Sequence, residues 1–450
     1  MRFFYPSTSF SAKLLVMIDL ADLRQRPELY QLAAERKRVK INIHEFLVLD
    51  SRYLELLQKV EDMRAKKNSV SKSIPVMKAE QKEIALVEMK ALSSALKEFE
   101  DEFSSLEAAW REMQFMLPNL PLERVPTGKD DSENVEVKTW GNIPTFDFAP
   151  QDHVALGEAL DIIDLPRGAK VSGARSYFLK GDGARLHQAV LRFTMDSLVA
   201  KGWTLFSPPL LATYECFVGT GFFPGVDQSN IYAVGGQIEK GGTIEADGLH
   251  LVGTSEVTVA SYHKDELLSS ADLPKKYAGY SACFRREAGS YGRDTKGLYR
   301  VHQFEKVEQV VLCRADVEEG LKLFEEIRTN AEDILRALEL PYRIVDVCTG
   351  DMGKGKLYMQ DIETWMPSRK AYGETHSCSY LGDFQARRLN IKYETKEGKK
   401  EFVHTLNNTC IASPRILIPI LEIYQKENGD IEVPKVLRPY MAGQKIITKR

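Results

Sequence analysis

From residue 49 to residue 117, apolar side chains recur at alternating intervals of four and three. The first run is Leu49, Tyr53, Leu56, Val60, Met63, Lys67, Val70 and Ile74, with Lys67 its one polar member. The second is Ala85, Met89, Leu92, Leu96, Phe99, Phe103, Leu106, Trp110, Met113 and Leu117. This spacing suits one face of a helix, and Pro75 separates the runs. The pattern predicts an antiparallel helical hairpin with arms of about 30–35 residues and a reach of about 50 Å. Its distal half carries Arg64, Lys66, Lys67, Lys72, Lys78 and Lys82, with little acid before Glu80 and Glu83. Two readings fit: a dimerising coiled coil with a solvated charged face, or an arm that reaches a phosphate backbone.

Residues 1–16 hold two bases, no acid and several Ser and Thr. They fit either a short targeting leader or an upstream start ahead of Met17. Residues 17–117 form the arm unit, with Asp19–Lys40 a short helical lead-in. Residues 118–150 are rich in Pro, Gly and charge and read as a linker. Residues 151–450 read as one globular domain. In it, Ala184–Lys201 is an amphipathic helix followed by a strand ending at Pro208 and Pro209. The net charge of −3 gives no global attraction to nucleic acid, so any RNA contact rests on a local basic patch. Six cysteines without a CxxC pair argue against structural zinc and for reduced thiols in the cytoplasm. No apolar run is long enough to span a bilayer, and no dinucleotide or P-loop signature occurs.

The richest chemistry lies in residues 280–312. Two apolar-patterned runs, 280–287 and 298–312, flank a charged Gly/Ser loop and predict two antiparallel strands. Alternation puts Arg285 and Glu287 on one face of the first strand, and His302, Phe304, Lys306 and Glu308 on one face of the second. Such a face suits a ligand with a phosphate, a flat base and an amine. An ion-paired exposed sheet face is the structural alternative.

FRREAGSYGRDTKGLYRVHQFEKVE closely resembles the second signature of class II aminoacyl-tRNA synthetases in their seryl form, and the resemblance runs from Met17 to the end. It implies an α+β fold: a mixed, mainly antiparallel sheet flanked by helices, with the N-terminal hairpin as a coiled-coil arm. It implies ATP-dependent activation of L-serine, then transfer to tRNA(Ser), with tRNA(Sec) a possible second acceptor. It also implies a homodimer in the cytoplasm, and neither DNA nor membrane as partner. Neither step needs a protein nucleophile, so arginines, carboxylates and hydrogen-bond donors carry the chemistry.

The residue roles follow from the same resemblance. Arg285 would bridge the amino-acid carboxylate and the α-phosphate, with Arg286 beside it. Glu287 would accept from adenine and Phe304 would stack on it. Thr254, Ser255 and Glu256 match the T-x-E element that holds serine, with Glu308, Asn407 and Thr409. Thr254 and Glu256 share a face if that strand continues, and Glu308 has an ion pair with Lys306 or Arg285 as its structural alternative. Glu374, Thr375, His376 and Ser377 would face ATP, and Glu374 and Ser377 would bind Mg²⁺. His376 departs from the small residue usual there. Tyr291, Arg293 and Asp294 would close over ATP and meet the tRNA end. Arg64, Lys66, Lys67, Lys72 and Lys78 would contact the tRNA.

The segment before the last helix matches the third signature, with Cys410 and Pro414 in place of glycines. Ser413 is expected to cap that helix, Pro414 to open it and Arg415 to hold the γ-phosphate, while Pro419 threatens a kink. Arg285, Glu374 and Arg415 are thus the catalytic candidates. Two rivals remain at this point. One is a paralogue that loads a carrier protein, a form that lacks the long basic arm. The other is an idle RNA-binding homologue, which would have lost the ATP-site residues present here.

Overall fold

The computed structural model describes residues 17–224, 226–238, 244–288 and 296–449. The chain divides into two compact units, one of them Asp19–Pro118 and the other Met17 and Ile18 together with the residues from Asn119 onward.

The first unit is built on helices α1 (Ile43–Ser73) and α2 (Ala79–Met116), joined by a 3-10 turn over Ile74–Val76. The Asn42 side chain caps α1 by accepting from the amides of His44 and Glu45. Short helices Leu20–Gln25 and Pro27–Arg36 precede it. The seam runs through Ile43, Phe46, Asp50, Tyr53, Leu56 and Val60. Its proximal end therefore passes through Asp50, with the expected Leu49 only half-buried. The Asp50 carboxylate accepts from Arg24 Nε (2.7 Å), Arg24 Nη2 (3.1 Å) and Trp110 Nε1 (3.0 Å). Removing a partner from such a buried charge costs about 3–5 kcal/mol, so Arg24 and Trp110 fix the hairpin's root. Tyr53 stacks on Trp110 with centroids 4.2 Å apart. Towards the turn the packing thins. Met63, Lys67 and Val70 are half-buried, while Val76, Ile84, Leu86 and Val87 are exposed.

The second unit centres on eight strands. In chain order they are β1 (Val135–Trp140), β2 (Thr204–Phe206), β3 (Lys275–Phe284), β4 (Gln303–Cys313), β5 (Tyr342–Asp346), β6 (Tyr358–Met366), β7 (Ala371–Gly382) and β8 (His404–Ser413). They lie in the order β1-β5-β6-β7-β8-β4-β3-β2. Every pairing is antiparallel except β2 with β3. β1 comes from the stretch expected as linker. It is an edge strand exposed on both faces, so it shows no apolar alternation to read.

Helices α3 (Asp182–Ala200) and α4 (Val317–Ala337) lie against the central strands. Leu186, Val190, Phe324 and Ile327 form one core with Val307, Val311, Ile362 and Leu406 of the sheet. That commits the odd-numbered positions of β4 to the helices. Its even-numbered positions, Phe304, Lys306 and Glu308, face the other way, and Val310 and Leu312 pack there with helix α5 (Phe384–Leu389). The last helix, α6, spans Leu417–Ile423 and starts later than expected. Ser413 ends β8 rather than capping α6, because its hydroxyl is engaged by His187 Nδ1 at 2.7 Å. Pro419 falls in the first turn of α6, where a missing N–H costs no intrahelical bond.

Candidate functional site

The floor of the site is the even-numbered face of β4. Lys306 and Glu308 are 5% and 2% exposed and form an ion pair. Thr409 of β8 stands opposite Glu308, donates to Glu308 Oε2 (3.2 Å) and accepts from Lys306 Nζ (3.3 Å). The structural alternative for Glu308 is thus present, and Thr409 makes it a three-membered polar cluster. Asn407 shares the Thr409 face, two residues along the strand. Lys306 and Thr409 also line a cleft with Arg285, Glu287, Tyr299, Arg300, Phe304, Glu374, Thr375 and Arg415.

Arg285 and Glu287 reach that cleft by a route other than strand alternation. β3 ends at Phe284, and Glu287 adopts a left-handed backbone with φ +51°. One further exchange, Arg285 N to the His302 carbonyl (2.9 Å) and His302 Nδ1 to the Arg285 carbonyl (2.9 Å), carries Arg285 past the strand end. His302 serves this pairing and does not line the cleft. Arg285 Nε donates to the Gly253 carbonyl (3.2 Å), and its guanidinium lies 5.2 Å from the Phe304 ring centroid. Arg286 points elsewhere, over the Tyr232 ring. Arg300, absent from the sequence-derived set, brings a second cation, with Nη1 3.6 Å from Glu287 Oε2. Tyr291, Arg293 and Asp294 lie outside the described residues.

The strand before the T-x-E element stops at Leu251, and Glu256 opens a helical turn, Glu256–Ala260. A shared strand face therefore does not apply to Thr254 and Glu256. Thr254 Oγ1 accepts from the Glu256 amide (3.2 Å). Ser255 is fully buried and donates to the Gly279 carbonyl (3.1 Å), a bond to the sheet. Glu256 accepts from Gln385 Nε2 (2.7 Å), and Gln385 in turn accepts from Thr405. Burial first, then the neighbouring Glu308 charge, push the Glu256 carboxyl up to about 7.

Glu374 and Ser377 are three apart on β7, a spacing that alternation would send to opposite faces. A β-bulge intervenes: Glu374 pairs with Glu363 and His376 with Ile362, leaving Thr375 as the extra residue. The bulge returns Glu374 and Ser377 to one side, with Asp361 opposite Ser377 on β6. Asp361 is buried, and its Oδ1 has no hydrogen-bond partner among the described residues. Burial and the Glu374 charge raise its carboxyl well above the carboxylate range. Asp361 is absent from the sequence-derived set, since nothing in the mixed run Tyr358–Met366, which also holds Gln360 and Glu363, singles it out. His376 is 1% exposed and bonded through Nδ1 to Thr375 Oγ1 (2.8 Å), so it presents almost no surface to a ligand. Burial lowers its pKa to about 3 and keeps it neutral.

Arg415 lies in the turn before α6. Nε donates to the Tyr299 carbonyl (3.1 Å) and Nη1 to the Glu374 carbonyl (3.1 Å), with Glu374 Oε1 3.9 Å away. Tyr299 carries the Arg415 guanidinium 4.5 Å from its ring centroid and that of Arg369 at 4.2 Å. On the arm, Lys66, Lys72 and Lys78 are exposed and Lys67 half-buried, whereas Arg64 pairs with Glu100 across the hairpin.

Comparison with known proteins agrees with this arrangement. Residues 17–121 match the family model for the seryl-tRNA synthetase N-terminal domain, and residues 242–424 the tRNA synthetase class II core domain (G, H, P, S and T). The chain is 47% identical to a serine--tRNA ligase of Deinococcus radiodurans, over 96% of this chain and 99% of that protein. It is 41% identical to that of Symbiobacterium thermophilum, over 96% and 100%. Its fold superposes on seryl-tRNA synthetase from Pyrococcus horikoshii complexed with ATP. The TM-score there is 0.84 at 34% identity, covering 96% of this chain and 100% of the other. With the arm, the antiparallel sheet and the polar cleft in one chain at this identity, the protein belongs to the seryl-tRNA synthetase family of class II aminoacyl-tRNA synthetases.

Proposed function

We infer that this protein activates L-serine with ATP to give seryl-adenylate and passes the seryl group to tRNA(Ser). The observation that carries this reading is one cleft lined by Arg285, Glu287, Arg300, Phe304 and Arg415, a flat aromatic with cations around it, together with Lys306 and Thr409. Thr409 and Lys306 tie that cleft to the buried Glu308 beneath it. The Arg285 guanidinium can hold two oxyanions at once, the serine carboxylate and the α-phosphate, in line for attack. The carboxylate oxygen attacks phosphorus and pyrophosphate leaves. Arg300 and Arg415 would stabilise the charge that gathers on it.

In the serine pocket Glu256 would hold the ammonium, and Glu308 with Thr409 the hydroxyl. Alanine would forgo the hydrogen bonds that the serine hydroxyl makes to this cluster, so serine is preferred over it. Threonine meets a weaker, steric filter. Glu374 and Ser377 would hold Mg²⁺, with Asp361 opposite Ser377 on β6. The donor set is all oxygen, which fits this hard cation. Among the described residues no group of three or more His, Cys, Asp or Glu surrounds one point, so water and phosphate would complete the shell. When bound with ATP, Mg²⁺ neutralises phosphate charge.

The arm would take the tRNA. Its Lys66, Lys67, Lys72 and Lys78 would supply phosphate contacts with little base reading. A homodimer would form along the open edge of β2 and the segment after it, where Leu205, Leu210 and Leu211 are each about two-fifths exposed. The six cysteines are all free, in keeping with a cytoplasmic setting. No helix among the described residues is long and apolar enough to cross a membrane. Amino-acid-dependent ATP–pyrophosphate exchange with all twenty amino acids tests the assignment. Exchange with serine, well above threonine and alanine, is expected. Exchange with none would overturn it.

A further inference from the structure

Behind the cleft, Glu422 of α6 is fully buried. Its carboxylate accepts from His153 N (3.1 Å), His153 Nδ1 (2.8 Å), Ser368 N (2.9 Å) and Ser368 Oγ (2.8 Å). On its other side His153 accepts at Nε2 from the Leu298 amide (3.2 Å). That bond needs a bare Nε2, so the ring proton sits on Nδ1 and points at Glu422. The approach is close enough to exclude a side chain at 297. A β-carbon on Gly297, at φ +79°, would lie 2.2 Å from His153 Nε2.

One end of this network reaches the cleft wall at Leu298, and the other stops one residue before Arg369. Leu298 precedes Tyr299, whose carbonyl and ring both engage Arg415, and whose hydroxyl donates to the Glu374 carbonyl (3.3 Å). Ser368 precedes Arg369, the second cation on the Tyr299 ring. One buried carboxylate therefore fixes two backbone segments that meet at Tyr299. We propose that Glu422 and His153 are positioning residues that set the Tyr299 platform and, through it, aim Arg415 at the phosphates of ATP. The inference rests on the ATP reading above and extends it to residues that touch no substrate.

The test is His153→Phe in the full chain. It keeps a ring and removes both hydrogen bonds. His153→Gln, which retains a donor and an acceptor, is the conservative control. ATP affinity is read by calorimetry, and KM for ATP and for serine by exchange. The expected result is an ATP Kd and KM raised about tenfold in His153→Phe, the scale of one misaligned charged contact. The serine KM should stay within about twofold, with ATP binding restored to within about threefold by His153→Gln. Glu422→Gln, which removes the buried charge and keeps the shape, should give the same ATP-selective loss, and it decides the matter if His153→Phe does not fold. ATP affinity unchanged in the folded variants, or equal loss for both substrates, overturns the proposal. Wild-type protein in the same assay separates the two inferences, since absent serine-dependent exchange there sinks the activity itself.

Discussion

The arm and the sheet domain use charge in opposite ways. On the arm most charges stand in water. Arg52 with Glu102 and Arg64 with Glu100 are exposed cross-hairpin pairs, each worth less than about 1 kcal/mol. In the cleft, Lys306 and Glu308 are buried, and each depends on specific partners. Exposed cations give an adaptable surface for a large, shape-read polyanion. Buried ones give a fixed pocket for a small ligand, where a displaced partner is expensive. The arm's root is the exception that marks the boundary, because Asp50 is held there as rigidly as any group in the cleft.

The sharpest way to break this contrast is Arg285→Ala. Serine-dependent exchange should fall by more than about a thousandfold, the scale expected when a transition-state cation is removed. Circular dichroism and sedimentation should be unchanged, and near-normal exchange would refute the assigned role. Deleting residues 60–87 should do the reverse, sparing exchange within about twofold while tRNA charging drops by about a hundredfold or more, as expected from losing several phosphate contacts. Equal loss of both would show that the arm also serves the cleft.

The smallest effect concerns Glu256. Burial and the Glu308 charge push its carboxyl up to about 7, and holding the ammonium requires the ionised form. The serine KM should therefore be flat above that pH and rise by up to about tenfold per unit below it. Glu256→Gln should lift KM at high pH and remove the step. A step that persists in Glu256→Gln would move the titration to another group.

What could be read in the sequence follows the same division. The arm is legible because helix periodicity is local: Tyr53, Leu56, Val60 and Trp110 announce themselves by spacing alone. The cleft residues Arg285, Phe304 and Arg415 were legible as a signature, but their geometry was not. Glu287 enters through a left-handed residue beyond the strand, and Glu256 through a helical turn. Both depend on backbone turns that alternation does not encode. Asp361 was overlooked because its meaning comes from a neighbouring strand, opposite Ser377. β1 was overlooked because an edge strand wet on both faces leaves no pattern. His376 looked like a ligand contact by its position in the motif, but burial takes it out of reach.

The bulge at Thr375 can be stated as a matter of parity. A strand sorts its residues into two sides by odd and even count, and Glu374 and Ser377, three apart, share a side because Thr375 is skipped in the pairing with β6. The sorting is done by β6, where Glu363 and Asp361 stand two apart and each faces its partner across the ladder. β7 is thus one residue longer than the stretch it pairs with, and the surplus residue, Thr375, lines the cleft. Deleting Thr375 would restore a regular ladder with Glu374 and Ser377 still on one side. The bulge therefore adds a residue to the cleft wall and leaves the alignment of the two candidate metal ligands unchanged.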